Sequence, residues 1–84
     1  MQKPTVGRIV LYSFECKGEV VTRPAIIVRT WGDTPANPVN LQVFADGDGT
    51  PHYNDGLPNV FWKTSIHQSE GPEADRFHFP QIEQ

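Results

Sequence analysis

Five runs of β-branched and aromatic residues, each cut off by glycine, proline or acidic residues, constrain this chain more than any other feature. RIVLYSF (8–14) is the first run; ECKGE follows it, and Gly18 can supply the positive φ that a hairpin turn needs. VVTRPAIIVRTW (20–31) is the second. Pro24 has no N–H for a ladder, so that strand is expected to be interrupted, bulged or at a sheet edge there, with AIIVRTW its stronger half. GDTPANP (32–38) is a loop by composition. VNLQVF (39–44) alternates: Val39, Leu41 and Val43 point one way and Asn40, Gln42 and Phe44 the other, which describes a half-buried strand with a polar outer face. A long loop, 45–59, leads to VFWKTSI (60–66). After the polar, turn-rich HQSEGPEADR, FHFP offers a last short strand in which Phe77 and Phe79 share a face and His78 points outward.

No stretch has helical periodicity of useful length, and there is no internal repeat. Five short strands in 84 residues fit an all-β fold: a small SH3-like barrel that closes on itself and so limits exposed sheet edges, with the long loop between strands 3 and 4. The expectation is one domain over residues 1–84, with 1–5 and 81–84 as flexible ends. A domain this small buries only about 60 to 65 % of the surface its unfolded chain exposes, so self-association into a homo-oligomer is an expected source of added stability.

The composition excludes several classes of function. A formal charge of −3 and a pI near 5.4 disfavour a general nucleic-acid binder, which needs many Lys and Arg contacts to phosphate. With one cysteine, neither an intramolecular disulfide nor a cysteine-based zinc finger can form; Cys16 also has a glutamate close on either side, a poor setting for a reactive thiolate. No apolar run reaches the ~18 residues of a membrane span and the start is not that of a signal peptide. The chain is expected to be cytoplasmic, with no membrane partner.

The acidic loop invites a calcium assignment that fails on inspection. In an EF-hand register beginning at Asp46, the position that needs glycine is Pro51 and the position that needs glutamate is Leu57. His52, His67 and His78 have no zinc-site spacing between them. Ser65 and His67 stand two apart on a strand, as any two polar residues at a strand end do. No metal, no cofactor and no catalytic residue is expected. A binding surface is better supported. Arg29 and Trp31 share a face of the second strand, Asn40 and Gln42 share the polar face of the third, Trp62 lies on the fourth and Tyr53 at the loop tip. A guanidinium, two amides and aromatic rings can pair with phosphate, hydrogen-bond a base edge and stack on it.

The segments PTVGRIVLY, RPAIIVRTWG, VNLQVFADG, FWKTS and FHFP, spanning roughly Pro4 to Pro80, resemble a family of small uncharacterised proteins encoded by bacteriophages and prophages. Where that family commonly reads WHWP, this chain has Phe77 and Phe79, which keep aromatic bulk and lose the indole donors. A weaker likeness joins RPAIIV to the RPALVV-type strand of the MazF/PemK ribonuclease toxins, themselves SH3-like barrels; it covers about six residues and brings no basic catalytic surface. The phage resemblance implies an origin more than a mechanism. In that context the expectation is a non-enzymatic protein of the host cytoplasm that sequesters a nucleotide-type immune signal between subunits. Arg29 would meet phosphate, Asn40 and Gln42 the base or ribose, Trp31, Trp62 or Tyr53 would stack, and Asp46 would accept from a hydroxyl or amine on the rim of the 45–59 loop. The alternative is a protein-interaction module: an inhibitor or adaptor of a host protein, or a minor virion component.

Overall fold

The structure, a computed structural model, describes residues 2–16, 18–45 and 59–80. Five strands, β1 (Ile9–Cys16), β2 (Glu19–Thr30), β3 (Val39–Phe44), β4 (Val60–Gln68) and β5 (Arg76–His78), form a closed barrel in the order β1-β2-β3-β4-β5. This is the all-β, SH3-like barrel expected from the runs of β-formers. β1, β2, β3 and β4 pair antiparallel in sequence. β5 closes the barrel by pairing antiparallel with β1 and parallel with β4.

Gly18 takes φ 84° in the β1–β2 turn, the conformation for which a glycine suits that place. Pro24 neither breaks nor bulges β2. It pairs with Leu11 on β1 and lies one residue past Ala25↔Val43, where pairing with β3 stops. Ile27 N donates to Arg8 O across β1, so by alternation the N–H missing at position 24 is on the β3 side, beyond the end of the ladder. Of the three outcomes open to the proline, a local edge is the one realised.

The 32–38 loop is built around Asn37, whose Oδ1 accepts from Thr34 N (3.1 Å) and Thr34 Oγ1 (2.8 Å). Gly32 is needed beneath it, because a Cβ there would collide with the Asn37 side chain. The long loop after β3 is tied at its base by Ala45 N donating to Asn59 O at 2.7 Å.

The core follows strand alternation. Val10, Tyr12, Phe14 and Cys16 enter from β1, Ala25 and Ile27 from β2, Val39, Leu41 and Val43 from β3, Ile66 from β4 and Phe77 from β5. Tyr12 is fully buried and its hydroxyl donates to Asp75 Oδ1 at 2.8 Å. Burial first, then the Asp75 hydrogen bond and its charge, push the Tyr12 phenol well above the ordinary tyrosine range. His78 corrects an expectation: it is 9 % exposed rather than outward in solvent. β5 is three residues long and is paired along both edges, by β1 and by β4.

Candidate functional site

Two bulges shape the outer face of β2, β3 and β4, and both lie opposite Asn40. On the β2 side, Ile27 pairs with Leu41 and Arg29 with Asn40, so Val28 is an extra residue. On the β4 side, Val39 pairs with Ile66 and Leu41 with Lys63, so Thr64 and Ser65 together face Asn40. A bulge changes which face the following residues occupy. In an unbroken strand, Arg29 and Trp31 would share parity with the buried Ala25 and Ile27. Val28 shifts them to the side of Asn40 and Gln42. The β4 bulge turns Ile66 into the core after Trp62 and Thr64 have faced outward.

Asn40 registers both irregularities. Its Oδ1 accepts from Trp31 Nε1 (2.9 Å), Thr64 Oγ1 (2.8 Å) and Ser65 N (3.1 Å). Ser65 takes φ 59°, a left-handed conformation that non-glycine residues seldom adopt and that the bulge requires. Arg29 then lies over the Trp31 ring, its guanidinium carbon 3.7 Å from the centroid. Cation and ring attract at this distance, and the stack restrains a long side chain.

The expected binding residues are therefore only partly brought together as anticipated. Arg29, Trp31 and Asn40 are in direct contact. Gln42 stands opposite Trp62 one row further along the same face, and Trp62 is 54 % exposed. Asn40 departs from expectation: it is 6 % exposed and its oxygen is taken up by three donors, so it positions Trp31 rather than offering a free amide. Asp46 and Tyr53 lie outside the described residues, as do His52 and the acidic segment DGDG (46–49). Thr64 and Val28 were missed. The signal for Val28 was present, since an Arg and a Trp on the parity of a buried Ala and Ile implies a bulge between them.

Exposed large apolar side chains gather on this same outer face. The cross-strand row Ile9–Ile26–Gln42–Trp62 and the adjoining pair Phe44–Val60 run across it. Ile9, Trp31, Phe44, Val60 and Trp62 are all substantially exposed.

Elsewhere, a cleft of about 250 Å³ is lined by Gln2, Gln68, Ser69, Glu70 and Phe79, none of them an expected site residue. Among the described residues no group of three or more His, Cys, Asp or Glu side chains could hold a metal ion, and no helix is long and apolar enough to cross a membrane. Comparison with protein-family models, curated proteins and solved structures gives no match to this chain.

Proposed function

We propose that this chain is a binding protein without catalytic chemistry, and that its outer β2–β4 face takes up a small nucleotide-type ligand. The observation that carries this is the Arg29–Trp31 stack, in which a guanidinium lies 3.7 Å from an indole whose own N–H is fixed to Asn40. A guanidinium on a ring face keeps its in-plane N–H donors for an anion, and the stack already restrains its side chain before the ligand arrives. Trp62 supplies a second exposed ring for a base, and Gln42 beside it an amide for the base edge. Asn40 acts as a positioning residue. Asp46 and Tyr53 are proposed as contacts from the rim of the 45–59 loop. The resemblance to phage and prophage proteins supports taking the ligand to be a host immune signal sequestered in the host cytoplasm.

The test is retention on a filter. Purified protein is mixed with a panel of cyclic di- and trinucleotides and ADP-ribose-type signals, filtered, and the retained fraction heated. The expected result is a ligand that leaves the filtrate and returns chemically intact, with Arg29→Ala weakening retention by about tenfold or more, as loss of a charge-assisted hydrogen bond does. A new product would indicate an enzyme instead. If every ligand passes through unchanged, the nucleotide assignment fails.

A second reading is favoured by a different observation, the apolar band of Ile9, Phe44, Val60 and Trp62 on the same face. Patches of this kind mark protein-interaction surfaces. On that reading the chain is an interaction module, an inhibitor or adaptor of a host protein or a minor virion component. Co-purification of a defined host protein or of virions, lost in Trp62→Ala, would favour it.

A further inference from the structure

We infer that the outer face of β2–β4 is the docking surface for a second copy of this chain, related by a two-fold axis. The distribution of apolar surface is the first ground. Of the eight large hydrophobic residues exposed among the described ones, Trp31, Phe44, Val60 and Trp62 lie on or directly beside the outward side of β2–β4, and Ile9 adjoins it from β1 across Ile26. Scattered exposure on a small domain would not concentrate in this way.

Area is the second. The two indoles are 46 % and 54 % exposed and together present about 200 Å², with Ile9, Phe44 and Val60 adding a similar amount. The sum, ~400 Å², is about half of the ~800 Å² that each partner gives to a standard interface. That proportion fits an apolar interface core surrounded by a polar rim, here Arg29 and Thr64.

Charge is the third. Ile9, Ile26, Gln42, Phe44, Val60 and Trp62 are all uncharged. A two-fold contact brings each patch against its own copy. With no carboxylate or ammonium in the patch, self-contact strands no charge, and Arg29 at its margin stays solvated. Association would also support a domain whose own core is small.

The contact and the proposed nucleotide site share this surface: a dimer covers Trp62 and Gln42, so a nucleotide bound there would be held between the two copies. The experiment is sedimentation of the full chain across a concentration series, from about 1 to 300 µM, with Trp62→Arg, Val20→Lys and Arg29→Ala beside the parent. Val20 is an exposed hydrophobic at the β1–β2 hairpin end, outside the patch. A monomer–dimer equilibrium that stops at the dimer is expected, with a dissociation constant in roughly the micromolar range. Trp62→Arg should weaken it at least about thirtyfold, as a buried hot-spot aromatic lost to a charge does, while thermal melts confirm that the variant is folded. Val20→Lys should leave it within about twofold, because surface changes away from the contact are near neutral. A parent that stays monomeric throughout overturns the proposal. So does growth beyond the dimer, or equal weakening by Val20→Lys. Because Arg29→Ala should lose nucleotide retention and keep the dimer, the two claims fail separately.

Discussion

The bulges in β2 and β4 flank the same residue, yet the chain holds them by different means. In β4, the two residues opposite Asn40 are bound directly to its side chain, and the cost of the left-handed Ser65 is local. In β2, the inserted Val28 is half in solvent, and the segment after it is secured further on, where Trp31 Nε1 reaches Asn40 and Trp31 N donates to Pro38 O at 3.0 Å. The first bulge moves Ile66 into the core; the second moves Arg29 and Trp31 out of it. One carboxamide oxygen thus keeps two parity changes in step. A polar residue in the middle of a strand can therefore serve the fold first and the surface through it.

The largest effect should come from Asn40→Ala. It removes the acceptor for three donors, of which Trp31, Thr64 and Ser65 regain water in part, so about 2–3 kcal/mol is expected. Urea unfolding should show a lowered midpoint at unchanged slope. Asn40→Asp keeps an acceptor at that place and should lose about 1 kcal/mol or less, which separates the hydrogen-bonding role from mere bulk.

Tyr12→Phe, remote from both bulges, calibrates the comparison. At neutral pH it should cost about 1 kcal/mol for the lost bond to the exposed Asp75. Its distinguishing mark is in alkali. The folded phenol is held above the ordinary tyrosine value of 10.0, so below that pH it is protonated in both states and adds no pH dependence. Above it the unfolded phenol ionises while the folded one does not, and stability falls as pH rises. The parent should lose stability faster than Tyr12→Phe above about pH 10.

The smallest change expected is Ser65→Gly. It relieves a left-handed residue, worth about 1–2 kcal/mol, against about 0.5–1 kcal/mol of extra chain entropy. The backbone N–H that Asn40 binds is kept. A net gain of up to about 1 kcal/mol in chemical unfolding would confirm that the strain is local; a clear loss would mean that the serine side chain holds the bulge.

Strand identity was legible because alternation is a local property. VNLQVF placed Val39, Leu41 and Val43 inward, and all three are fully buried. ECKGE placed a turn where Gly18 makes one. The pairing of Arg29 with Trp31 and of Asn40 with Gln42 on common faces was also correct. What alternation could not convey was insertion. A bulge is fixed by the register between two strands, so neither Val28 nor the Thr64–Ser65 pair announced itself in its own segment. The burial of Asn40 and His78 was hidden for a related reason, since a polar residue on an outward parity looks solvated until its neighbours across the sheet are known.

β5 is the shortest strand, and it belongs at once to the first and to the penultimate strand in the sequence. The Tyr12–Asp75 bond that reinforces this closure joins residues 63 positions apart. In time rather than space, this makes the barrel a structure completed late. As the chain leaves the ribosome, β1–β4 are made before β5, so during that interval β1 and β4 carry an unclosed seam. Residues 76–78 act as a clasp, and a chain stalled just short of them would expose two edges ready to pair with another molecule.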